Sequence, residues 1–406
     1  MKIGLLAYHS ACNMGATLQL LSTYSYLQNS GHTPIVINWV AEDLERMYKR
    51  SAPTIQQDLQ LQLRHALWTE TALCRTSKEV AEVIEAENIQ AVIIGSDAVA
   101  QHHPLLERLH LSKSTLLTVD HMTADRVFPN PFWGAFNTYL PQPVPVAVLS
   151  ASSQDSHFRL IAAAMLRQMR KAILEYKYIS VRDAWTQEMI AYITRNKIVP
   201  PVTPDPVFSF NQNAGHLVPT KQDILKKFNL PENYFVISLL NEYIVSAEWL
   251  AEFEALAEQQ GIACVSLPFA HKSSCGKLTH TIELPLSPVD WFALIKYSRG
   301  YIGNNMHPII VSLHNNVPFY SFDNYGIRML SNIITSDKSS KILHILTKAG
   351  LGDYRTSVIN RRSHVPSPDV IINKLVAFPL EKERAFATAW QQEYTQMMQQ
   401  ILSKLK

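Results

Sequence analysis

Short apolar runs alternate with stretches of helical periodicity twice along this 406-residue chain, and no other feature limits its fold as much. IGLLAY (3–8) runs into a polar turn. From Gly15 a helical pattern follows, with Leu18, Leu21, Tyr24 and Leu27 at helical spacing and Gly31 as its stop. PIVINWV (34–40) reads as a second strand. Strand, helix and strand in close succession make a parallel βαβ unit, because parallel neighbours need a crossover. QAVIIGSDA (90–98), VPVAVLSASS (144–153) and YISVRDA (178–184) extend the series. Five prolines fall within 197–220, which reads as a linker. The alternation restarts with YFVISLL (234–240), ACVSLPF (263–269), RGYIGN (299–304) and VPFYSF (317–322), with helices near 246–260, 288–298 and 308–316 between them. Two α/β domains facing a cleft are expected, over 1–210 and 220–345, followed by a C-terminal helical extension over 346–406.

Composition narrows the function classes. Hydrophobic residues are 47% of the chain, enough to fill two cores, and the 17% charged fraction is low for a disordered protein. The net charge of +3 comes without a lysine- or arginine-rich tract, so no nucleic-acid surface is expected. Cys12, Cys74, Cys264 and Cys275 form no CxxC and match no zinc spacing. Reduced thiols in the cytoplasm are the expectation. The apolar run after MKIG is too short for a signal peptide, and no run of 18 apolar residues exists.

In open parallel sheets, ligands bind beyond the carboxyl ends of strands. Those positions carry His9, Cys12, Asn13 and Gly15 after the first strand, and Gly95, Ser96 and Asp97 after the third. Arg182 and Asp183 end the fifth. His271 and Lys272, then Asn304, Asn305 and His307, occupy the same places in the second half. Pro308 suits the first position of a helix, which puts His307 at or beside the N-cap. Backbone N–H groups free there favour an anion. Cys12 reads as an activated thiol or as a loop filler. The excursion 101–142 contains FPNPFWGAF, whose Phe132 and Trp133 either stack on a sugar ring or anchor a loop. The helix 381–406 carries Phe386, Trp390, Tyr394, Met397, Met398 and Leu402 at roughly i, i+4 spacing; it docks on the chain's own core or on a membrane surface or subunit.

These residues resemble a known family. YHSACNMGATLQLLSTYSYLQNSGH, IIGSDAV (93–99), ISVRDAWTQEMI (179–190), TPDPVF (203–208) and WFALIKYSRGYIGNNMHPIIVSLHNNVPF (291–319) are similar, in order, to motifs of the polysaccharide pyruvyl transferases. The resemblance implies two Rossmann-like domains in a GT-B-like arrangement. It implies transfer of a pyruvyl group from phosphoenolpyruvate onto two hydroxyls of a sugar as a cyclic ketal, with no metal and no cofactor beyond that donor. Asn305-Met306-His307-Pro308 stands where other members carry Ser-Phe-His-Gly or Arg-Leu-His.

A donor with a carboxylate and a phosphate needs cations, and a histidine titrates in the range for its proton transfers. Arg182 is the first donor-binding candidate, with Lys272, Asn305, Asn13 and Gly15 beside it. His307 is expected as general acid, with His271 able to exchange roles with it; His9 and Asp97 are candidates to orient the acceptor. The expected partners are phosphoenolpyruvate and a sugar acceptor, free or lipid-linked, with a peripheral membrane contact left open. A GT-B-like glycosyltransferase and a non-catalytic glycan-binding relative are the alternative functions.

Overall fold

A computed structural model describes the chain except residues 112–116, 241–243, 275–277, 330–333 and 361–363. Cys275 lies outside the described residues. The first half forms a parallel five-stranded sheet from β1 (Lys2–Leu6), β2 (Thr33–Val36), β3 (Ala91–Asp97), β4 (Val146–Ala151) and β5 (Tyr178–Val181), in the order β2-β1-β3-β4-β5. The second half forms a parallel six-stranded sheet from β6 (Tyr234–Ser238), β7 (Ala263–Ser266), β8 (His280–Thr281), β9 (Gly300–Gly303), β10 (Phe319–Asp323) and β11 (Arg355–Ser357), ordered β8-β7-β6-β9-β10-β11. Helices cover both faces, so every residue of β3, β4, β6, β9 and β10 is buried. That is why these strands read as apolar runs rather than alternating ones.

Each sheet reverses direction once, between β1 and β3 in the first and between β6 and β9 in the second, where Ile302 pairs with Ile237 on one side and Tyr320 on the other. A crevice opens outside the strand ends at such a reversal. Two helices start there: α1 (Met14–Asn29) after β1, and, further along, α4 (Met306–Asn315) after β9. The helices α2 (Ala184–Thr194), α3 (Pro288–Lys296), α5 (Lys341–Ala349) and α6 (Leu380–Lys404) complete the set that positions the site. One apolar core joins the lobes, with Leu18 and Leu21 of α1 in the same cluster as Phe292 and Leu294 of α3. The Gln56 side chain bridges the lobes, donating to the Leu286 carbonyl at 3.0 Å and accepting from its N–H at 2.8 Å.

Two expectations change, and one of two open readings is decided. The stretch 346–406 is not wholly helical, because Arg355–Ser357 pairs with β10 as the edge of the second sheet. The proline-rich stretch read as a linker is packed into the core: Val207, Phe208 and Phe210 are fully buried. Phe132 and Trp133 are 4% and 3% exposed and anchor their loop against Tyr8, Trp39 and Phe128, leaving no face for a sugar. The C-terminal helix docks on the chain's own core, as one reading expected. Trp390, Tyr394, Met397, Met398 and Ile401 are buried, and Met397 Sδ lies 3.4 Å from Ser150 Oγ in the first sheet.

That helix also carries an ionisable group without a partner. Glu383 is fully buried, and neither carboxylate oxygen has a hydrogen-bond partner among the described residues. Burial pushes its carboxyl up to about 9, against a weak opposing pull from Arg384. The folded state therefore holds a proton that the unfolded chain releases above its ordinary value, and stability falls as pH rises through that window. Glu383→Met is expected to stabilise the protein by about 1–4 kcal/mol at pH 8, with the gain shrinking below about pH 4. Urea unfolding at the two pH values checks both statements.

Candidate active site

The two reversal points meet at a cavity of about 280 Å³. Its wall includes Asn13, Met14 and Gly15 from the start of α1, and Asn305, His307 and Pro308 from the start of α4. Asn13 is the N-cap of α1, its Oδ1 accepting from Ala16 N–H at 3.2 Å, so that oxygen is already used. Asn305 is the N-cap of α4 but makes no side-chain cap bond; its Oδ1 accepts from the Tyr325 hydroxyl at 3.3 Å. The helix thus starts at Met306, and Pro308 is its third residue rather than its first. Proline is tolerated there because N–H groups of the first turn have no intrahelical acceptor. Two helix N-termini converge on one cavity, and both favour an anion there.

Gly15 is required for this meeting. A Cβ at that position would lie 2.1 Å from His307 Nδ1, so the imidazole packs directly on the backbone of α1. His307 Nε2 faces Asp205 Oδ2 at 3.8 Å and has no hydrogen-bond partner. Burial lowers the pKa of His307, although Asp205 and Asp97 pull it upward. Its resting form at neutral pH is the uncharged imidazole.

Behind His307 lies a buried charge network. Arg182 donates to Asp97 Oδ1 at 2.6 Å and to Asp205 Oδ2 at 3.2 Å, and its side chain is 1% exposed. Gln19 Nε2 donates to Asp205 as well, and to Ser96 Oγ at 3.1 Å. Asp97 sits at φ +76° just after Gly95, whose own φ of +120° and whose approach to the Leu149 carbonyl exclude a side chain. Burial alone would raise the Asp97 carboxyl, but Arg182, with Lys341 and His307, holds it well below the usual range. Asp183 caps α2, accepting from Thr186 N–H at 2.7 Å.

Several candidates are placed differently from expectation. His9 is buried with both ring nitrogens engaged, Nδ1 with the Ala7 carbonyl at 3.1 Å and Nε2 with Asn38 Oδ1 at 2.9 Å. It has no nitrogen to offer an acceptor. The Lys272 ammonium donates to the Leu240 carbonyl, and the arginine expected to meet the donor is already paired with two carboxylates. His271 lines the cavity and keeps part of its surface exposed; partial desolvation of its ring and the neighbouring Lys272 lower its pKa. Cys12 also lines the cavity, but burial pushes its thiol up, the opposite of activation. Sequence reasoning missed Gln19, Tyr325 and Lys341. Gln19 lies inside a helical pattern that looked wholly structural, and the other two follow β10, where no strand-end motif drew attention.

A second cavity of about 190 Å³ shares Leu240, Asn305 and Tyr325 with the first and is also lined by Lys341 and Asp155. A third, of about 350 Å³, shares Cys12 and is lined by Ser10, Asn38 and Arg64. A larger one, about 430 Å³, opens beside Val146 at the amino end of β4, away from the reversal points.

The sequence model of a family described as polysaccharide pyruvyl transferase matches residues 13–325, most of the chain and every element of this site up to Tyr325. The chain belongs to that family. As a polysaccharide pyruvyl transferase it uses phosphoenolpyruvate as a donor substrate and a sugar as acceptor. Comparison with curated protein sequences finds no match. Among solved structures, the UDP-GlcNAc 2-epimerase of Neisseria meningitidis bound to UDP-GlcNAc is similar at 11% identity, with both chains fully covered and a TM-score of 0.56. A ugt transferase of Siraitia grosvenorii in complex with UDP is similar at 10% identity, again over the whole of both chains, with a TM-score of 0.51. These likenesses establish the GT-B-like arrangement of two Rossmann-like lobes. Among the described residues, no helix is long and apolar enough to cross a membrane.

Proposed function

We propose that this pyruvyl transferase binds phosphoenolpyruvate where α1 and α4 begin, with His307 as the proton-transfer group. The observation that carries the placement is the convergence of two helix N-termini and an unpartnered imidazole on one cavity. The reaction needs two proton movements. A sugar hydroxyl adds to C2 of the donor while C3 gains a proton and becomes a methyl group. The C2–O bond to phosphate then breaks, and the second hydroxyl closes the ketal. The two hydroxyl protons end on C3 and on the departing phosphate. His307, uncharged at rest, starts as the base that accepts the first hydroxyl proton and then returns it as an acid. The general-acid role expected of it is the second half of this cycle. His271, at the rim, remains the candidate for the second transfer.

The 350 Å³ cavity is placed for the acceptor, because it adjoins the first through Cys12 and contains the buried, unpartnered Ser10 hydroxyl. The acceptor class is a sugar of a polysaccharide or lipid-linked precursor. The three described cysteines are unpaired, which supports a reducing compartment such as the cytoplasm. Isothermal calorimetry with phosphoenolpyruvate, followed by phosphate release on adding candidate sugars, tests the reading. Donor binding without acceptor is the expected result. Failure to bind at millimolar donor would reject it.

A further inference from the structure

The charge network behind His307 leaves the donor short of a cation. Asp97 and Asp205 together outweigh the single guanidinium of Arg182 by one negative charge. An anion cannot be drawn to that cluster by Arg182 alone. Lys341 changes the balance. It is the first residue of α5, only 8% exposed, and among the described residues its ammonium has no carboxylate or carbonyl partner. It lies over the face of the Tyr325 ring, 4.8 Å from the centroid. Lysine is almost never buried without a paired charge. Here the side chain lines the cavity shared with Asn305 and Tyr325, and Asn305 and Tyr325 also line the cavity of His307.

We propose that Lys341 is a donor-binding residue, its ammonium pairing with an anionic group of phosphoenolpyruvate that enters past Asn305 and Tyr325. This rests on the donor placement given above. Tyr325 holds the ammonium over its ring, and its own hydroxyl is tied to Asn305, so the cation is presented on a fixed support. Ser340, the residue before it, caps α5 and donates to Asp323 Oδ2, which anchors the backbone at that point. The groups around the ammonium are Arg182, His307, Asp97, Asp183 and Asp205 of the network, Asp155 across the cavity and Tyr325 beneath. Burial, reinforced by Arg182 and opposed by the carboxylates, brings its pKa down to about 8. The free site therefore sheds this charge at mildly alkaline pH, and a bound anion holds it.

Calorimetry separates this inference from the reading beneath it. Wild type should bind phosphoenolpyruvate. Lys341→Met, nearly isosteric and uncharged, should keep its melting temperature and lose at least about tenfold in affinity. If wild type binds and Lys341→Met binds within twofold of it, Lys341 is not a donor ligand while the donor placement stands. If wild type itself does not bind, the donor placement fails and this inference falls with it. A second variant covers a folding defect in the first. Lys341→Arg keeps a charge that does not titrate. Wild-type affinity should fall as pH rises from 7 to 9, and the arginine variant should show no such fall. Equal pH profiles in the two proteins would overturn the assignment.

Discussion

Arg182→Ala is expected to cost about 3–5 kcal/mol of folding stability and to abolish transfer activity. The guanidinium is buried and spans Asp97 and Asp205. Removing it leaves two carboxylates facing each other without water, and that uncompensated charge, rather than the lost ion pair, dominates the penalty. The pH dependence has a definite sign. In the intact protein the Asp97 carboxyl is held low, so its contribution to stability is present above the unfolded carboxylate range and is lost as pH falls through the folded value. In the alanine variant that partner is gone and burial raises the carboxyl. The deficit should therefore be largest near neutral pH and shrink toward pH 4. Urea unfolding across that range measures it. Arg182→Ala combined with Asp97→Asn should recover part of the stability without recovering activity. Full recovery of both would make Arg182 unnecessary to the chemistry.

Gly15→Ala and His307→Asn are expected to share a phenotype, a fall in kcat of about 10²–10⁴-fold with the fold intact. His307 supplies the proton-transfer group, and Gly15 supplies the space for its ring. A methyl group at position 15 would sit 2.1 Å from His307 Nδ1, so either the imidazole rotates away or α1 is pushed back from the cavity. In both cases the ring leaves the point where the two helix starts meet. The measurement is steady-state kinetics of phosphate release, with the double variant included. Because the two changes remove one function, the double should be scarcely slower than either single. Multiplying effects would mean that Gly15 serves something other than the histidine.

Much of the fold was legible along the chain because parallel strands are buried on both faces and announce themselves as apolar runs. β3, β4, β6 and β9 all fall inside the runs read as strands. The excursion 101–142 was not legible in that way. Its aromatic residues pack as isolated short turns, with Phe132 wedged against Tyr8 and Trp39, and no periodicity reports such contacts. Asp205 was legible as part of the TPDPVF motif, but its partners were not. Prolines on both sides suggested a linker, yet the segment folds inward and its carboxylate becomes the hub for Arg182, Gln19 and His307.

By itself, the sequence determined two α/β lobes, a helix beginning near Gly15, another beginning near Pro308, and a histidine beside the second of them. Those are local properties: hydrophobic period, capping chemistry and the exclusion from the helix interior of proline, which lacks an N–H. Only the tertiary structure decided which ions pair. It gave Arg182 to two carboxylates and closed both nitrogens of His9, and it left Lys341 as a buried cation facing a cavity. Pairing depends on distances across segments more than 80 residues apart, as between Asp97 and Arg182. Nothing in the local pattern encodes such a distance, because it is set by how the lobes and their loops pack.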